Sequence, residues 1–177
     1  MFVRIATRAE DVQRVFTAGQ AMAALKEDGT VVAWGHPIFG GNCSEQQAKL
    51  VKVHDIFVAD GAFAALKEDG TVVAWGHPES GGDCSHIRED LWGIRSIQAS
   101  SAAFAALRED GRVVTWGLPH KGGDCSAVKE HLVQIEVIVA SYGAFAAQRS
   151  DGSVVTWGDA NYGGAALLTY LKVHGYS

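Results

Sequence analysis

The chain has 177 residues, of which 47% are hydrophobic and 20% charged, with a net charge of -5. That length suits one domain able to bury roughly 70% of its unfolded surface, and the composition excludes a disordered chain. The acidic balance and the lack of a dense Lys/Arg run exclude a general nucleic-acid binder and disfavour an anionic membrane surface.

No apolar run approaches the roughly 20 residues that cross a bilayer, so no direct membrane insertion is expected. Met1 to Glu10 lacks the apolar stretch of a secretory signal. The expectation is a soluble intracellular protein, cytoplasmic or nuclear, or in an organelle if a targeting segment was removed. Three cysteines make no disulfide framework.

An internal repeat dominates everything else. Trp34, Trp75, Trp116 and Trp157 recur at a fixed spacing, and each precedes a glycine: Gly35, Gly76, Gly117 and Gly158. Asp28-Gly29, Asp69-Gly70, Asp110-Gly111 and Asp151-Gly152 keep the same register. So do Gly40-Gly41, Gly81-Gly82, Gly122-Gly123 and Gly163-Gly164. Cys43, Cys84 and Cys125 share one position, taken by Ala166 in the last copy. The chain therefore reads as a single repeat domain over 1–177, with units at about 12–52, 53–93, 94–134 and 135–164 and a tail at 165–177.

The second copy shows the elements in order. Val53 to Ala59 is rich in β-formers and predicts a strand. Ala62 to Lys67 predicts a second. Glu68-Asp69-Gly70 predicts a tight hairpin turn, because Asp-Gly between apolar runs supplies the positive φ that such turns need. Thr71 to Trp75 is the return strand. Gly76 to Gly82, with Pro78, is a loop.

A short helical turn is expected next, with Ser85 as N-cap and Ile87 and Leu91 one turn apart. Ser126, Val128 and Leu132, and Ser44, Gln46 and Leu50, repeat it. The tail is expected to be helical, with Leu167, Leu168 and Leu171 on one side, serving as a cap or a docking element.

One such unit cannot bury its apolar face alone, so copies must stack. The antiparallel hairpin favours radial blades over a linear solenoid. The expected fold is all-β: four tandem blades of a propeller-like repeat in a small, open or partial ring. Alanine is a poor strand former. Its mid-strand recurrence at Ala64-Ala65, Ala105-Ala106 and Ala146-Ala147 therefore implies close approach of neighbouring backbones, near a central axis.

The residues now assembled resemble the regulator of chromosome condensation repeat. Ala65-Leu66, Asp69-Gly70, Trp75-Gly76 and Gly81-Gly82 stand in that family's order and spacing, and the resemblance covers nearly the whole chain. It implies a β-propeller, seven-bladed in family members, which serve as exchange factors, ubiquitin-ligase accessory domains, ultraviolet receptors and interaction modules. This sequence departs from the pattern. Its unit is shorter, and Ala21, Ala62, Ala103 and Ala144 replace the family's histidine. Gly81-Gly82-Asp83-Cys84-Ser85 replaces the family's Gly-Gln-Leu-Gly. Four copies cannot close a seven-bladed ring, and neither ligase nor exchange activity carries over.

Candidate sites follow from the same register. One tryptophan per unit reads as blade core rather than a stacking cluster. The cysteines lack Cys-x-x-Cys spacing, so they read as small buried hydrophobes rather than metal ligands. His36-Pro37 and His77-Pro78 match, but Leu118-Pro119 breaks the series. His54, His86, His120, His131 and His174 have no matching partners. The four aspartates read as turn residues. No catalytic, metal or cofactor residue is assigned, and the chain is not expected to be an enzyme.

The best functional lead is the set of loops that varies between copies. Within it, His36, Phe39, His77, Glu79, His120, Lys121, Asn161 and Tyr162 are the candidate contacts for a protein partner, in a large assembly or by self-association. The expected function is a non-catalytic interaction or scaffolding module, an accessory subunit of a larger complex. The alternative is a small-molecule or carbohydrate-binding propeller. Four blades also leave sheet edges to be satisfied, by a small closed ring, by a dimer or by a partner that caps an open arc.

Overall fold

The computed structural model describes residues 11–165 and 168–170. Thirteen strands fall into four antiparallel sheets, one per repeat. Blade 1 holds β1 (Val12–Ala18), β2 (Ala21–Lys26) and β3 (Val31–Gly35). Blade 2 holds β4 (Val53–Ala59), β5 (Ala62–Lys67) and β6 (Val72–Gly76). Blade 3 holds β7 (Ile94–Ala99), β8 (Ala103–Arg108) and β9 (Val113–Gly117). Blade 4 holds β10 (Ile135–Ala140), β11 (Ala144–Arg149) and β12 (Ser153–Gly158), with β13 (Leu168–Tyr170) beside β12.

The sheets meet along their first strands, β1 to β4, β4 to β7 and β7 to β10. These strands are therefore innermost. The alanine-rich strands lie one place further out, in the middle of each blade, so the expectation that they approach a central axis is corrected. Their small side chains answer a different demand. A middle strand is covered on both faces, by the preceding blade and by the following one. Phe63 and Ala65 pack on blade 1, while Ala62, Ala64 and Leu66 pack on blade 3. Period-two alternation thus sends every second residue into a different core.

There are three such cores among the described residues, one at each joint between blades. Leu25, Val31 and Leu50 meet Ile56, Phe63 and Trp75 in the first. Leu66, Val72 and Leu91 meet Ile97, Phe104 and Trp116 in the second. Leu107, Val113 and Leu132 meet Ile138, Phe145 and Trp157 in the third.

The segments between blades differ in detail from the expectation. Ser85–Asp90 and Ser126–His131 form 3-10 helices, and residues 44–49 form turns. Ser85 is not the N-cap. Its backbone N–H donates to the Asp83 carboxylate at 2.8 Å, and Asn42 and Asp124 do the same for Ser44 and Ser126. The Asx residue two positions upstream therefore performs the local capping. In the tail, Leu168–Tyr170 is an extended strand paired with β12, not a helix; the rest of the tail lies outside the described residues.

Each joint is locked by one recurring contact. Phe and Trp sit opposite each other across the outer two strands and stack, Phe63–Trp75 at 5.0 Å, Phe104–Trp116 at 5.1 Å and Phe145–Trp157 at 5.4 Å. The indole N–H then donates to a glycine carbonyl of the preceding blade: Trp75 to Gly40 at 3.1 Å, Trp116 to Gly81 at 3.0 Å and Trp157 to Gly122 at 3.0 Å. Gly81 has φ 91° and lies so near the Phe104 ring that a Cβ would stand 2.6 Å from it. Only glycine fits both conditions.

Two substitutions test this joint. Phe104→Ala should cost about 3–5 kcal/mol in urea unfolding, as buried aromatic truncations do. Gly81→Ala should lower the midpoint markedly more than Gly163→Ala. Both positions carry positive φ, but a Cβ at Gly163 meets nothing within 4 Å. Equal losses would show that the Phe–Gly contact is slack.

Candidate interaction rim

Antiparallel pairing places two kinds of connection at opposite ends of every blade. The Asp-Gly hairpins line one rim. The variable loops line the other, beside the first hairpin turns; the His77 N–H donates to the Gly61 carbonyl there, and the Asp159 N–H to that of Gly143.

The variable loops share one backbone. Each begins in extended conformation at His36, His77, Leu118 or Asp159, makes a single 3-10 turn, and ends in a left-handed glycine. Pro37, Pro78 and Pro119 preset the first three turns, and in the fourth the Asp159 side chain caps the Asn161 N–H. A rigid frame thus presents side chains that differ from blade to blade.

The structure divides the eight candidate residues into two groups. His36, Glu79, His120, Asn161 and Tyr162 are exposed. Phe39, His77 and Lys121 are half-buried between loops. Phe39 lies against the first core and between two imidazoles, 5.0 Å from His36 and 6.1 Å from His77. Lys121 Nζ is 3.0 Å from the Asp159 carboxylate and 4.7 Å from the Tyr162 ring centre. That ion pair and the Asn161 N–H hold the Asp159 carboxyl below its ordinary range. These three residues therefore tie adjacent loops together, and the exposed five form the rim's outer surface.

Sequence reasoning missed one neighbour and left one residue of the first variable loop unnamed. Tyr142, exposed in the adjacent hairpin turn, stands 5.3 Å from Tyr162 and within 5.6 Å of Lys121 Nζ. Ile38 is a large exposed apolar side chain at the tip of the first loop. The position of Tyr142 is Gly19, Asp60 or Ser101 in the other copies, and that variation was the available signal. Trp92, the fifth tryptophan, lies outside the register and carries Arg108 over its ring at 3.9 Å.

The remaining candidates resolve as follows. Trp75, Trp116 and Trp157 are buried as read, but Trp34 is exposed. Cys43, Cys84 and Cys125 lie in three different blade joints, and burial pushes their thiols up, leaving them protonated near neutral pH. Among the described residues no three His, Cys, Asp or Glu side chains converge as metal ligands. An open groove of about 960 Å³ runs along the outer strand β6, lined by Ile38, Lys49, Val51, Asp83 and Arg88. A smaller one of about 290 Å³ repeats it one blade further on, with Asp124 and Lys129 in the corresponding places.

On the opposite rim the aspartates do turn chemistry. Asp69 accepts from the Thr71 hydroxyl at 2.6 Å and the Thr71 N–H at 3.0 Å. Asp28 and Asp151 make the same pairs with Thr30 and Ser153. In the third copy Arg112 offers only its N–H to Asp110.

No family model matches the chain, and no curated protein matches it. Solved structures do. Yeast RCC1 (Prp20), in its complex with Kap60, aligns with TM-score 0.60 and 18% identity over 83% of this chain and 43% of its own. The fold is the RCC1-type propeller fold. Human WBSCR16 aligns with TM-score 0.55 and 17% identity over 86% and 48%. The CRINKLY WD40 ectodomain of the Arabidopsis thaliana receptor kinase ACR4 aligns with 0.59 and 16% over 88% and 55%. The chain spans about half the length of these RCC1-type structures. No helix among the described residues is long and apolar enough to cross a membrane.

The Asp69 hydrogen bonds from Thr71, helped by Lys67, hold its carboxyl at about 2, against 3.8 ordinarily. A depressed carboxyl stabilises the fold above its unfolded value and loses that contribution as pH falls through the folded one. Asp69→Asn should therefore unfold at lower urea than wild type near neutral pH, and the gap should narrow as pH falls from about 4 toward about 2. A gap independent of pH in urea melts would contradict the assignment.

Proposed function

We propose that this chain is a non-catalytic protein-interaction module, an accessory component that docks a protein partner on its loop rim. The observation that carries this is the rim itself. Four loops share one rigid backbone, while their exposed tips, His36, Ile38, Glu79, His120, Asn161 and Tyr162, share no side-chain pattern. Constant frames with variable tips are how repeat folds build recognition surfaces. Tyr142 and Tyr162 supply the aromatic content that protein interfaces favour. Structures of the same fold support the reading, since yeast RCC1 is seen with Kap60 bound and its relation to Gsp1p and histones has been characterised.

The small-ligand alternative needs convergent polar groups unique to one pocket. The groove along β6 draws instead on repeated positions. Its Asp83 carboxylate is already held by the Ser85 N–H, and its counterpart recurs in the next blade. The interaction reading is therefore the better supported.

The test is affinity capture from an extract of the native source with three baits: wild type, a rim variant carrying Tyr142→Ala, Tyr162→Ala and Glu79→Lys, and an opposite-rim variant carrying Glu27→Lys and Glu68→Lys. A protein retained by the first and third baits but lost at least tenfold from the second supports the rim; loss of a tyrosine anchor of about 1.4 kcal/mol suffices for that factor. Retention that is indifferent to the rim variant would sink the reading.

A further inference from the structure

The joint between blades is built three times inside the chain, and each half of it is left over once. Its first mark is the indole bond to a glycine carbonyl of the preceding blade. Its second is the aromatic ring pressed on that glycine. Its third is a backbone bond from the next blade's first strand to the Asp-Gly turn: Val53 to Gly29, Ile94 to Gly70 and Ile135 to Gly111, each at 2.9 Å.

At blade 1 the donating half stands open. Trp34 is 38% exposed where Trp75 is 1%. Met22, opposite it on β2, is 42% exposed and Val15 on β1 is 55% exposed, whereas Phe63 and Ile56 are buried in the same places. Among the described residues the Trp34 indole has no hydrogen-bond partner. Val32 lies half-buried on this face, and strand alternation from Met22 places Lys26 at its edge. A terminal repeat meant for water needs a polar outer face, and this one has the apolar face of an internal blade.

At blade 4 the accepting half stands open. Gly163 corresponds to Gly40, Gly81 and Gly122, and Gly152 to Gly29, Gly70 and Gly111. Both meet nothing within 4 Å, where the internal ones meet the next blade's ring or backbone. Val139, equivalent to Phe57 facing the next blade, is 57% exposed. One departure marks this face: Gln148 replaces Leu25, Leu66 and Leu107.

We infer that the occupant of each open face is a second copy of this chain, blade 1 of one seating on blade 4 of the other. The two faces are the two halves of an interface that the same sequence already forms, so pairing them requires no new surface. A head-to-tail contact gives a ring when the rotation closes. Two copies supply eight blades, within the about four to eight with which propellers close.

The experiment is sedimentation equilibrium of the full chain over a range of concentrations, with far-ultraviolet spectra as a folding control. Wild type should sediment as a dimer. Met22→Glu and Val139→Glu place a charge in opposite halves of the joint, at positions exposed in the single chain. Each should weaken dimerisation at least about tenfold with an unchanged spectrum. Gln148→Leu should tighten it. A monomeric wild type, an open-ended series of larger species, or a dimer indifferent to Val139→Glu would each overturn the inference, the last because it would leave only a blade 1 to blade 1 contact.

Discussion

Everything in this molecule depends on a tryptophan that reaches across to its neighbour. Its indole N–H finds a glycine carbonyl in the preceding blade, and its ring stacks on a phenylalanine that the same glycine has room to touch. A three-stranded sheet is marginal by itself. Here each inner sheet gains a buried face on both sides, and at every joint the polar end of the largest side chain is satisfied in the process. A carbonyl at a left-handed glycine can accept only from a donor standing over the turn, so the bond fixes the position of one blade on the next.

That constraint explains where sequence variation is tolerated. Between the strand that holds tryptophan and the glycine that receives the next one lie a few loop residues whose backbone is fixed at both ends. Their side chains point away from the joint or bridge to the adjacent loop. Phe39, His77 and Lys121 bridge, through ring stacking and an ion pair with Asp159. His36, Glu79, His120 and Asn161 do not. The loop side chains can thus change without disturbing the packing.

The same joint also accounts for the asymmetry of the two ends. Among the described residues, blade 1 offers an indole without an acceptor, and blade 4 offers glycines without a ring or a strand above them. An internal blade carries both halves and satisfies both. The outward faces of the array are therefore made of largely the same chemistry as its interior, with Met22 and Gln148 as departures.

The repeat length, the three strands, the Asp-Gly hairpins and the propeller-like stacking were legible in the amino-acid sequence, because turn chemistry and period-two alternation act over a few residues. The loops after each tryptophan stood out because most of their residues change from copy to copy. Local signals could not show which strand lies innermost, since alanine marks close packing without saying against what. They also misled at Ser85, where the upstream Asp83 competes for the same backbone donor, and at Leu168–Tyr170, where pairing with β12 overrides the helical spacing of the leucines. Four tryptophans, each following a Val-Val pair and preceding a glycine, looked alike in sequence. Only the tertiary structure separated Trp34 from the other three, because burial belongs to the position of the next blade and not to the residue that awaits it.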